Sequence, residues 1–177
     1  MRFRHVRKGG RYLRVADPRW SDPLDPEPSM SGGGRWNPPG SFPVTYLVSD
    51  IALARSFVDA RFAGQPFDVL DLRTETAPVL ITTGIPAASF VDVLSDGGCR
   101  AAGFPVTYPA DVGWDGTQPV GQRAWDKGEA GIACRSATPS PSAPGGAHEL
   151  AWFARDRKLE IEDRRGFGSW FHPIADE

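Results

Sequence analysis

The apolar and polar positions of this chain alternate mostly at strand spacing, with only a few helical stretches. Val44–Val48 (VTYLV) consists of β-branched, aromatic and aliphatic residues bounded by Pro43 and Ser49, which predicts a strand. Behind it, Ile51, Ala54, Phe57, Val58 and Phe62 recur at helical spacing after Asp50, a capping residue type. Residues 3–6 and 12–16 read as two short strands around a Lys8-Gly9-Gly10 turn. Residues 67–72 and 78–82 read as buried strands, 88–94 as a short apolar segment and 98–103 as one helical turn. Residues 118–127 predict a helix with Gly128 past its end. Residues 131–135 and 149–153 predict buried strands, and 158–162 an edge strand. Trp170 and Phe171 are placed to pack the C-terminal end onto the body. Strands outnumber helices and do not alternate regularly with them. This pattern predicts an α+β fold, with a small mixed or antiparallel sheet and flanking helices, over a doubly wound sheet.

Composition adds limits. A chain of 177 residues predicts a single domain, 1–177, able to bury a core. Its 20 glycines and 17 prolines concentrate in residues 17–43 and 138–147, which predicts two long loops. A net charge of −2 gives no bulk attraction to nucleic acid or to an anionic membrane. The first ten residues are basic but no apolar run follows, and no stretch approaches the roughly 20 apolar residues of a membrane span. Cys99 and Cys134 lack metal spacing, and His5, His148 and His172 form no ligand pattern. These features predict a cytoplasmic protein that needs no metal.

The residues with the most chemistry lie in 32–47, GGGRWNPPGSFPVTYL. Three glycines allow close backbone approach, and Pro38 and Pro39 stiffen the far side. The loop would present Arg35, a planar fork suited to phosphate, together with Asn37, and would be anchored by Trp36. Tyr46 follows on the next strand, where its ring can meet a flat heterocycle. The same residues also fit a surface turn with a solvated Arg and a core Tyr. The glycines open a loop that leads into a strand, so they are not a Gly-x-Gly-x-x-Gly dinucleotide fingerprint.

GGRWNPPGSFPVTYL resembles the signature of the RES domain, the toxin half of bacterial toxin–antitoxin pairs. FRHV, WSDPLDP, QPVGQRAWDKGEAGIACRSA and ELAWF follow in that family's order, so the resemblance spans nearly the whole chain. It implies a fold similar to ADP-ribosyltransferases, NAD as substrate and an antitoxin protein as partner; a homodimer is a further expectation, which composition does not show. Carried over, Arg4 and Arg35 would hold phosphate groups. Tyr46 would border the nicotinamide ring, and Ser136 would bond the carboxamide or ribose. Asn37 would shape the loop or touch ribose, and His5 would make a secondary contact.

One departure stands out. The family's catalytic Glu falls, by ungapped counting from Tyr46, on Phe57. Breaking the nicotinamide–ribose bond builds positive charge on the sugar, which a carboxylate stabilises. Asp59 and, second to it, Glu149 are the candidate substitutes, with Asp50 assigned to the helix cap. Three readings follow: an NAD-cleaving enzyme (hydrolase or phosphorylase), an ADP-ribosyltransferase acting on another molecule, and a nucleotide-binding module without catalysis.

Overall fold

The structure, a computed structural model, describes residues 2–155 and 157–171. The elements run β1 His5–Ala16, α1 Glu27–Gly32, β2 Val44–Val48, α2 Ile51–Phe62, β3 Val79–Val93, α3 Asp96–Ala102, α4 Trp114–Asp126, β4 Gly131–Cys134, β5 Glu149–Phe153, β6 Ile161–Arg165 and α5 Phe167–Trp170. The strands are joined in the order β1-β2-β5-β4-β3-β6, and β1 also pairs with β3. The sheet therefore closes on itself through β1, β2, β5, β4 and β3, with β6 added outside on β3. All pairings are antiparallel except β3–β4. The expected mixed α+β fold is present, and its sheet is closed and barrel-like.

Alternation along the strands fills both faces. Tyr12, Leu47, Ile81, Phe90, Ala133, Leu150 and Trp152 come from all five ring strands and pack together inside. The opposite parity, including Val44, Val91, Ile132 and Phe153, packs under α3 and α4 with Trp36, Phe104 and Tyr108. A third cluster joins α2 to Leu80, Trp170 and Phe171. The C-terminal end is tied down as expected: Arg55 Nε and Nη2 donate to the Trp170 carbonyl at 2.9 and 2.7 Å, and Trp170 Nε1 donates to Pro78 O at 3.1 Å.

Several sequence-based boundaries are corrected. The turn expected at residues 8–10 is no turn, because β1 runs straight through it. Opposite it, Lys8 pairs with Ala88 and Gly10 with Ile85, so β3 carries one extra residue there. That bulge absorbs Pro86, which has no N–H for the ladder, and joins the two expected pieces of β3 into one strand of 15 residues. The covering loop at 17–43 contains α1. Residues 67–72 hold only the 3-10 turn Val69–Asp71, not a strand, and Phe67 is exposed. The edge strand begins at Ile161, a few residues later than expected. α4 begins at Trp114, before the expected start, and Pro119 lies within it. In α2 the cap is as expected, with Asp50 Oδ1 accepting from Ala52 N at 2.7 Å. The helix buries Leu53, Ala54 and Val58, and leaves Phe57 partly exposed at the edge of its stripe.

No described helix is long and apolar enough to cross a membrane. Among the described residues no three His, Cys, Asp or Glu side chains gather; His172 lies outside them.

Candidate functional site

β1 and β2 share a single paired position, Leu13 with Val48, and then part. At that parting lies a cleft of about 500 Å³. Its walls include Arg14 of β1, Arg35 of the glycine loop, Tyr46 of β2, Phe57 of α2 and Glu149 of β5, with Trp20 and Trp114 also lining it.

The glycine loop is built from below by two side chains. Tyr46 Oη donates to Asn37 Oδ1 at 2.6 Å and accepts from Trp36 N at 2.9 Å. Asn37 Nδ2 donates to the carbonyls of Ser29 at 2.6 Å and Phe42 at 3.0 Å. Burial, with no charged partner to offset it, pushes the Tyr46 phenol far up, so it stays protonated and keeps donating. Gly34 sits directly on this hydroxyl: a Cβ there would lie 2.5 Å from Tyr46 Oη. From above, α4 clamps the loop. Gln118 Nε2 donates to Gly34 O at 3.0 Å, and Thr117 Oγ1 donates to Arg35 O. A Cβ at Gly121 would collide with the Trp36 carbonyl, so only glycine lets the helix approach this closely. Trp36 is fully buried against Phe104 and Tyr108. The stiff and loose residues around Arg35 thus fix one backbone segment from both sides.

Arg14 and Arg35 both line this cleft, and each has one guanidinium nitrogen without a hydrogen-bond partner. Arg14 Nη1 and Arg35 Nη1 are both buried and make no hydrogen bond. Burial lowers the Arg14 pKa, and Asp25 and Asp22 act against it. Each orphaned donor costs about 1–3 kcal/mol, a cost that an incoming anion would relieve.

The cleft holds one carboxylate. Glu149 pairs across strands with Val48 and Cys134, which turns its side chain toward the parting. It accepts from Ala137 N at 3.1 Å, and Ser136 beside it also favours the charged form. Burial raises its pKa, opposed by Ser136, by the Ala137 N–H and by Arg35.

The structure distributes the sequence candidates unevenly. Arg35, Tyr46, Glu149 and Phe57 share the cleft. Asn37 is fully buried beneath the loop, with its amide engaged by protein groups that shape the loop. Ser136 does not line the cleft; its hydroxyl closes a short turn with Thr138 and supports Glu149. Asp59 is exposed on α2 and does not line the cleft. Arg4 and His5 are at the far end of β1, where His5 Nε2 lies 3.0 Å from Glu129 Oε2 and the Arg4 guanidinium lies beside Gly97. Ten residues of extended chain separate Arg4 from Arg14, roughly 30 Å, so they cannot grip one pyrophosphate together. Sequence reading missed Arg14, Trp20, Trp114, Thr117 and Gly121. Arg14 sits in an arginine-studded strand, and nothing local marks which arginine meets the parting.

A closed mixed sheet with a split at one seam, a clamped glycine loop that carries Arg35 and the Glu149 carboxylate together frame one cleft in an α+β scaffold. The RES domain profile matches residues 4–165, and the chain belongs to the RES domain family. Proteins named NAD(+) phosphorylase MbcT, from Mycobacterium bovis and from Mycobacterium tuberculosis, are 32% identical over 104 residues. That alignment covers 59% of this chain and 55% of theirs, so the chain matches about half the length of these relatives. In fold it is similar to a chain of the crystal structure of the M. tuberculosis MbcT–MbcA toxin–antitoxin complex. The TM-score is 0.72 with 20% identity, covering 94% of this chain and 91% of that one.

Proposed function

We propose that the cleft binds NAD and cleaves the nicotinamide–ribose bond, and that the protein is the toxin of a toxin–antitoxin pair. The observation that carries this is the pair of unpartnered buried guanidinium atoms, Arg14 Nη1 and Arg35 Nη1, in a cleft that also holds Glu149. Two cations suit a pyrophosphate. Tyr46 offers the ring wall for nicotinamide. Glu149, held by Ser136 and Ala137 N, is the carboxylate that stabilises the charge growing on ribose; it takes this role from Asp59. The bond between ribose C1′ and the pyridinium nitrogen breaks with its electron pair going to nitrogen, so nicotinamide leaves neutral. A nucleophile then bonds to C1′ from the open side. Water gives ADP-ribose and a proton, phosphate gives the phosphorylated sugar, and a hydroxyl or amine of another molecule gives ADP-ribosyl transfer. The similarity to relatives named phosphorylases supports phosphate as acceptor. The likeness in fold to the toxin–antitoxin complex supports a cognate antitoxin as partner. The carboxylate occupies a strand position, not the family's helix position, which is Phe57 here.

A second reading rests on Phe57. It lines the cleft as an apolar wall where the family's Glu would stand, which suits a binding module without catalysis. Free nicotinamide followed over time with purified protein and NAD, with and without inorganic phosphate, separates the two. Release by wild type that Arg35→Ala abolishes supports the enzyme. No release, with NAD still protecting the protein against heat, supports the binder.

A further inference from the structure

We infer that Trp20 and Trp114 form an aromatic clamp at the mouth of the cleft that takes the adenine ring of the dinucleotide. This rests on the NAD reading above and names which part of the substrate these residues recognise. Both line the cleft, and both are exposed large aromatics, at 41% and 52%. An exposed indole has no packing reason to stay in a cleft wall, whereas ring stacking on a ligand gives it one.

Their placement follows the arginines. The Arg14 guanidinium lies 5.7 Å from the centre of the Trp20 ring. Trp114 opens α4, three residues before Thr117, whose hydroxyl holds the Arg35 carbonyl. One tryptophan thus stands beside each phosphate-gripping arginine, one from the loop after β1 and the other from the helix over the glycine loop. Glu149, Tyr46, Arg14 and Arg35 are all partly buried, whereas the two indoles on the same cleft wall stand exposed. A dinucleotide whose riboside and pyrophosphate occupy the partly buried residues leaves its adenosine for the exposed end. With the scissile bond at Glu149 and the pyrophosphate on the arginines, the adenine emerges between Trp20 and Trp114.

The test is calorimetric titration with NAD and with nicotinamide mononucleotide, which lacks the adenosine half. It uses Glu149→Gln protein to limit turnover, alone and with Trp20→Ala, Trp114→Ala, Trp20→Phe or Trp114→Phe added; ADP-ribose is titrated into wild type and the same Trp variants. The clamp predicts that each Trp→Ala change weakens NAD and ADP-ribose about tenfold, leaves the mononucleotide unchanged, and is largely reversed by Phe. Equal losses for NAD and mononucleotide, or none for either, overturn the clamp while leaving the NAD reading standing. Failure of both to bind the protein with intact tryptophans, wild type included, sinks the NAD reading and the clamp with it.

Discussion

Asn37→Ala tests whether the amide beneath the glycine loop is a structural staple or a ligand contact. Removing it deletes a 2.6 Å bond from Tyr46 Oη and two bonds to the carbonyls of Ser29 and Phe42. The site is fully buried, so water cannot readily replace them. At about 1 kcal/mol for each lost hydrogen bond, the expected loss is about 3 kcal/mol. In urea, with a slope of about 2 kcal/mol per molar, the unfolding midpoint falls by about 1.5 M. The thermal midpoint drops by roughly 6–12 °C for a chain of this size. Chemical denaturation followed by tryptophan fluorescence reads the first number and scanning calorimetry the second. Tyr46→Phe, which removes one of these bonds and the one from Trp36 N but keeps the ring, should lose less. An Asn37→Ala protein with unchanged stability that nonetheless fails to bind NAD would refute the staple and return Asn37 to the ligand.

Gly34→Ala puts a methyl group on Tyr46 Oη; NAD affinity measured by titration should fall at least tenfold while the fold, read by circular dichroism, persists. Glu149 must be ionised to act, and its pKa lies above the ordinary 4.5, so activity is low in acid and rises with pH through that raised value; the kcat/KM profile should show its acid limb above 4.5, and a limb at or below it would count against Glu149. Phe57→Glu introduced into Glu149→Gln protein places a carboxylate on the same cleft wall and should restore part of the nicotinamide release; no recovery in a stably folded double variant would show that the two positions do not serve one reacting centre. Trp170→Ala empties a fully buried site under α2 and should cost about 3–5 kcal/mol in urea unfolding, with nicotinamide release per folded molecule little changed.

What the sequence revealed about this molecule was mostly local. β2 and α2 were legible because a β-branched run and an Asx cap act within a few residues. Trp36 as anchor and Tyr46 beside Arg35 followed from the loop's own composition. The unbroken β1 was not legible, because its glycines face a bulge in β3 that only the pairing reveals. The 67–72 stretch is apolar enough for a strand, yet it has no partner strand and leaves Phe67 in solvent. The choice among Arg2, Arg4, Arg7, Arg11 and Arg14 depends on where β1 leaves β2, which is set across the sheet. The same holds for the carboxylates. Asp59 is near Phe57 in sequence but turned away on the helix, whereas Glu149 is remote in sequence and brought to Val48 by strand pairing.

The most direct test is nicotinamide release from saturating NAD by wild-type and Glu149→Gln proteins, with NAD binding measured for both. The account predicts unchanged binding and a rate lower by about 100- to 1,000-fold in the variant, the usual consequence of removing one preorganised electrostatic group. Equal rates from the two proteins would contradict it and move the chemistry away from Glu149.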